Sequence, residues 1–194
     1  INPLALFALG FLIVSMFSPW WTLNVSVMHR PTGICPYLLD GPAREFVGYR
    51  QSPQMRILFD LLLACMILFA IGSFVKGKAI SITTSAAAVL VGLAIWRFLV
   101  RVAGVGRLYN VPIQGHGVGD YGGFAFVDVY TIIQPGIYLA LLSVVIGIIA
   151  GIFHKKLTNR FSLDWIGKNH TSDIKLSEEE DFINNKNGIS RNED

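Results

Sequence analysis

The chain has 194 residues, 53 % of them apolar and 15 % charged, with 16 Lys/Arg against 13 Asp/Glu. A soluble domain carries about 25 % charged residues, and here most of the few charges sit at one end: seven basic and eight acidic residues stand from Lys155 onward. Residues 1–154 are too apolar for a water-soluble domain and read as a membrane body followed by a polar tail. The basic surplus lacks the Lys/Arg-rich, aromatic-interleaved runs of a nucleic-acid binder.

A spanning helix needs roughly 20 predominantly apolar residues. The first candidate, about 3–20, PLALFALGFLIVSMFSPW, has neither the basic start nor the small-residue cleavage site of a signal peptide, and is read as a retained span. At its end, in FSPWWTLNVSV, Trp20 is expected in the aromatic belt at the membrane interface. From Trp21 the pattern changes: Trp21, Leu23, Val25 and Val27 alternate with Thr22, Asn24 and Ser26, the period of a half-buried strand. The two tryptophans therefore read as a hinge between membrane and cap rather than a ligand-stacking platform. Asn24-Val25-Ser26 is an N-glycosylation sequon. HRPTGICPYLLDGP, which follows, is rich in turn residues.

The second span is expected over about 55–75, MRILFDLLLACMILFAIGSFV, and the third over about 79–101, AISITTSAAAVLVGLAIWRFLVR. Lys76-Gly77-Lys78 joins them, which forces an antiparallel helical hairpin. Beyond it, RLYNVPI (107–113) is a weak strand candidate, GHGVGDYGG a glycine-dense connection, and FAFVDVYTI (124–132) a strand leading into the fourth span, about 136–153. Cys35 lies in a loop and Cys65 within a span, so no disulfide framework or CxxC metal spacing arises.

These elements predict an all-α membrane protein: a four-transmembrane-helix bundle at 1–154, capped by a small antiparallel β structure from the long loops 21–54 and 102–135. Residues 155–194 form a tail whose start, with Leu157, Phe161 and Trp165 at i, i+4 and i+8, suits a helix on the inner interface, where Trp165 is an anchor. The rest, SEEEDFINNKNGISRNED, has the composition of a disordered end. All seven lysines fall on the side of the turn and tail, while arginines 30, 44, 50, 56, 101 and 107 crowd the loop side, so charge bias does not decide orientation. The long tail of mixed charge, which is cheap to leave untranslocated, and the Asn24 sequon favour cytoplasmic termini and an outward cap. A second sequon at Asn169 would then be unused.

A short inner turn, a strand directly after span one and a strand entering span four together make a layout that resembles the claudin and PMP22-like four-helix membrane proteins. Trp20-Trp21 and Gly33-Ile34-Cys35 partly echo the claudin loop signature, whose second cysteine is absent here. The resemblance covers about residues 1–153 and implies architecture with a bias toward lateral assembly.

Among candidate sites, Asp60 and Arg97 stand out as ionisable residues inside spans, each about one turn from the loop side, and are expected to form an intramembrane ion pair. Gly117-Val118-Gly119-Asp120-Tyr121-Gly122 matches GxGxxG literally but precedes a strand-like run rather than a helix, so nucleotide binding is not expected. His116 and Asp120, with His29, are weak metal candidates, and no histidine lies mid-span to ligate haem. Serines 81, 85 and 143 lie in spans and read as helix-packing residues; no GxSxG or HExxH is present, so no enzyme, cofactor or metal is expected. Gly147-xxx-Gly151 and Ala88-xxx-Gly92 have helix-packing spacing, toward either another span of this chain or another protein.

The expected function is a non-catalytic accessory or scaffold subunit of a membrane complex, docking through loops and tail onto other membrane subunits, in a hetero-oligomer or a homo-oligomer. The alternatives are a small oligomeric channel or transporter using the Asp60/Arg97 level, and a claudin-like surface adhesion or junction protein.

Overall fold

The computed structural model describes residues 1–27, 30–41, 52–108, 110–120 and 126–160. Most of the described residues are helical. In order it forms α1 (Pro3–Phe17), β1 (Trp21–Val25), β2 (Thr32–Ile34), β3 (Leu39–Asp40), α2 (Pro53–Phe74), α3 (Lys78–Leu108), β4 (Gly115–Asp120), β5 (Phe126–Ile133), α4 (Pro135–Ile152) and α5 (His154–Arg160).

Local chemistry sets the helix starts. Pro3, Pro53 and Pro135 each open a helix, where the missing proline N–H costs nothing. Asn2 and Ser52 cap the first two, their side-chain oxygens accepting from Ala5 N at 3.3 Å and Met55 N at 3.2 Å. α1 stops at Phe17, short of the expected residue 20, because Ser18 precedes Pro19 and is held extended.

Three helices are long and apolar enough to cross a membrane, Pro53–Phe74, Lys78–Gly104 and Pro135–Ile152, which fits an integral membrane protein. α1 is a shorter apolar helix of 15 residues, about 22 Å long at ~1.5 Å per residue. The helices form a ring: α1 lies along α4, α4 along α3, α3 along α2, and α2 along α1. At its centre Leu12, Met16, Trp20, Leu62, Phe69, Val91 and Ile95 are buried. In a bilayer such contacts gain close packing rather than escape from water, because lipid tails are as apolar as leucine.

All strands join one antiparallel sheet in the order β3-β2-β1-β5-β4. The two long loops meet where Trp21 pairs with Ile133 and Val25 with Val129. Alternation sets the faces: Trp21, Val129 and Thr131 are buried, while Asn24, Phe126, Asp128, Tyr130 and Ile132 are exposed.

Four expectations change. α3 continues past residue 101 to Leu108, because Arg101 and Arg107 end an apolar run without breaking a helix. RLYNVPI is therefore not a strand: the chain turns back at Asn110, in the left-handed region at φ 54°, with Val111 N donating to Gly106 O at 2.7 Å. The glycine-dense stretch supplies strand β4 instead. A side chain at Gly117 would meet Pro112 at 2.6 Å, so glycine lets residues 110–114 fold across the sheet. That segment is tied down by Trp21 Nε1 donating to Ile113 O at 2.8 Å and Thr131 Oγ1 donating to Pro112 O at 2.8 Å. The turn-rich stretch after β1 likewise holds β2 and β3.

Candidate functional site

Four places carry polar or charged chemistry. The first is the outer face of the sheet. His116 on β4 lies opposite Tyr130, with ring centroids 4.6 Å apart, and its Nε2 is 3.3 Å from Asp128 Oδ1. Both members of this pair are half exposed, at 50 % and 58 %, so water screens them and the pair adds little to stability. Asp120, the expected companion of His116, stands four residues further along β4 in register with Phe126. Among the described residues no group of three His, Cys, Asp or Glu could hold a metal ion. His29, Tyr121 and Gly122 lie outside the described residues, as do Phe161, Trp165, Asn169 and the tail from residue 161 on. Asp128 was missed because it stands in a β-branched and aromatic run; its alternation with Val127 and Val129 is the signal that sets it on the exposed face.

The literal GxGxxG does not open a helix. Its first four residues lie in β4, which pairs along its whole length with β5. The backbone N–H fan that holds a pyrophosphate at a helix start does not arise there.

The second place is the Asp60/Arg97 level. The structure does not bring these residues together: both are exposed on the outside of the bundle, and no ion pair joins them among the described residues. The inner positions of their helices are taken by Leu62, Cys65, Ala94 and Ile95, which turns Asp60 and Arg97 outward. Cys65 is a free thiol in the core, and Cys35 is buried beside the sheet, outside any disulfide.

The third is the small-residue seam. A side chain at Gly147 would sit 2.8 Å from the Phe69 ring and 3.0 Å from Ala88 Cβ, and one at Gly151 would collide with Ser85. Gly92 faces Val144, and Ser81 Oγ donates to Gly151 O at 2.5 Å. Ala88, Gly92, Gly147 and Gly151 therefore close α3 against α4 within this chain, which answers the question their spacing leaves open. Ser143, buried on α4, has no hydrogen-bond partner for its hydroxyl among the described residues.

The fourth is a pair of polar knots at the two ends of α1 and α4. At the sheet end, Trp20 is fully buried rather than placed in an interfacial belt. Its Nε1 donates to Ser15 O at 3.0 Å and Ser15 Oγ at 3.1 Å, its ring meets Phe98 edge-on at 5.2 Å, and Ser15 Oγ donates to Gly136 O at 2.7 Å. Gly136 has no room for a side chain because Pro19 O and Trp20 lie 2.6 Å from where one would start. Trp21 packs on the inner side of the sheet, as its alternation implies. The exposed tryptophan near this end is Trp96, at 68 %.

At the opposite end, buried Asn2 donates from its backbone N to Ser73 O at 2.8 Å and from Nδ2 to Ala150 O at 3.0 Å. The same Nδ2 lies 3.1 Å from His154 Nδ1. Because Asn2 Oδ1 already caps α1, its amide faces His154 as a donor, which makes Nδ1 the acceptor and leaves the ring proton on Nε2. Nε2 is buried and makes no well-formed hydrogen bond among the described residues. Burial holds the His154 pKa below the usual histidine value, with the backbone of Val75 acting in the opposite sense. A single histidine at a span end carries no sequence signal for this; only its meeting with Asn2, 152 positions away, makes the knot.

A scan against protein-family models gives no match, and a search of curated proteins gives none either.

Proposed function

We propose that this chain is a non-catalytic accessory or scaffold subunit of a larger integral-membrane complex. In this reading α1 is a fourth crossing, both termini are cytoplasmic, and the sheet faces outward from the cell membrane in a claudin/PMP22-like layout. The observation that carries the proposal is the outer face of the sheet. Phe126 is 82 % exposed there, with Val118, Tyr130 and Ile132 beside it and the His116–Asp128 pair among them. Exposed aromatic and aliphatic side chains around a charged pair have the make-up of a protein-docking surface. The face is also firmly mounted: β1 begins four residues after α1 ends and β5 runs into α4 through Gln134 alone, so a load on the sheet reaches the helices directly. The outward orientation draws support from Asn24, which is exposed on β1. Conduction at the Asp60/Arg97 level draws none from a bundle in which both side chains face out.

Solubilisation in mild detergent, followed by a native gel and mass spectrometry, tests the reading. Other membrane subunits are expected to co-migrate with the chain, and the double change Phe126→Ser, Tyr130→Ser to release them while the bundle stays folded. A monodisperse monomer free of any partner overturns it. Loss of a mobility shift on glycosidase treatment after Asn24→Gln checks the orientation in a eukaryotic host.

A further inference from the structure

Asp60 on α2 and Arg97 on α3 carry opposite charge on neighbouring helices, and both face out of the bundle. Asp60 stands seven residues into its span, and Arg97 seven residues before the end of its own, both counted from the sheet end. At ~1.5 Å per residue each therefore lies about 10 Å below that end. An arginine at this depth extends its long stem toward the headgroups. An aspartate, with one methylene, does not reach. Ionisable side chains within a membrane ordinarily face a bundle interior or a water-filled cavity and pair there. Asp60 has no such setting in its own chain: it is exposed, and no ion pair or hydrogen bond reaches it among the described residues.

We propose that a second copy of this chain covers the outward face of α2 and α3, setting Asp60 of each copy against Arg97 of the other. Symmetry supplies the geometry. A two-fold axis along the membrane normal, beside the α2/α3 pair, turns α2 of one copy toward α3 of the other and keeps every residue at its own depth. One contact is then made twice, as in any isologous dimer. The charges are self-complementary under this operation: acid meets base at both crossings. The surroundings are apolar and uncovered, with Ile57, Leu63 and Ile67 exposed around Asp60, and Leu93, Trp96 and Val100 around Arg97. Arg56 and Arg101 stand one turn nearer the sheet, where their stems reach the headgroups instead. The small-residue seam is not free to serve a dimer, since Ala88, Gly147 and Gly151 are closed inside the bundle. The inference stands apart from the accessory-subunit reading, because the dimer forms equally alone or within a larger complex.

Charge exchange tests it. Two differently tagged copies of the full chain, reconstituted together in lipid nanodiscs, are expected to be captured as pairs. Asp60→Arg alone, or Arg97→Asp alone, sets like charges against each other and lowers pairing at least about tenfold, the scale of breaking a desolvated ion pair. Mixing the two single variants brings opposite charges back together at both crossings, and pairing returns. That rescue also shows that each variant folds. A wild-type chain that stays monomeric at high protein-to-lipid ratio overturns the proposal, and so does a dimer indifferent to both exchanges. Capture of other subunits with no self-pairing likewise overturns it, while leaving the accessory-subunit reading in place.

Discussion

The two ends of the α1/α4 pair are fastened by different chemistry. At the sheet end the fastening is Ser15, Trp20 and Gly136, built from a hydroxyl, an indole and backbone carbonyls, none of which titrates near neutral pH. At the other end it is Asn2, Ser73, Ala150 and His154, and one member is a base. Both ends are buried and both tie helix starts or ends whose backbone groups lack intrahelical partners. The difference is that only the second can be opened by a proton. The bundle is thus fixed where it meets the sheet and conditionally fixed where it meets the tail.

The largest effect expected is at the sheet end. Trp20→Ala removes a fully buried ring and its two hydrogen bonds, and is expected to cost about 3–5 kcal/mol. Thermal unfolding in detergent, followed by circular dichroism, reads that loss. At the opposite end, Asn2→Ala strands Ala150 O and His154 Nδ1 in a buried site and is expected to cost about 1–3 kcal/mol. Amide exchange resolved along the chain distinguishes the two: Asn2→Ala should raise exchange in the first turns of α1 and spare β1.

Acid gives a smaller, graded effect on one end only. The His154 pKa is lowered in the folded protein, so the unfolded chain binds more protons and stability rises with pH. The contribution is whole above about pH 6.5, the usual histidine value, and is lost as pH falls from there through the lowered folded value. Protonation also turns Nδ1 into a donor facing the Asn2 amide, itself a donor. Exchange at the start of α1 should therefore rise between neutral and mildly acidic pH while the Trp20 end stays unchanged, and His154→Gln should remove the pH dependence. Equal opening at both ends would erase the distinction. The smallest effect is expected between the ends: Ser143→Ala deletes a buried hydroxyl that has no partner among the described residues and should shift stability by less than about 0.5 kcal/mol in either direction.

The sequence makes the membrane-crossing helices legible because hydropathy over some 20 residues is a strong signal, and β1 because its alternation begins at Trp21. It is less informative wherever a residue's role depends on a distant neighbour. β4 carries too few apolar side chains to show strand periodicity, and exists because β5 and residues 110–114 supply its contacts. Trp20 has the position of a belt residue, yet Ser15 and Phe98 draw it inside. Asp60 and Arg97 match in depth, as residue counting implies, but depth alone does not say which way a helix turns its side chains. The direction of the small-residue seam was equally hidden, since spacing is the same whether the partner helix is internal or foreign.

The strand order has a consequence for how the protein is made. β1 leaves the ribosome before α2 and α3, yet its neighbour on one side is β5, with Trp21 and Ile133 paired across more than a hundred residues. Throughout synthesis of α2 and α3 one edge of the first loop has no strand to bind, and an open edge is a template for pairing with other chains. The sheet closes only once β5 has been made, directly ahead of α4. Closure of the sheet and the start of α4 therefore coincide, and a chain cut short before β5 is left with an adhesive edge.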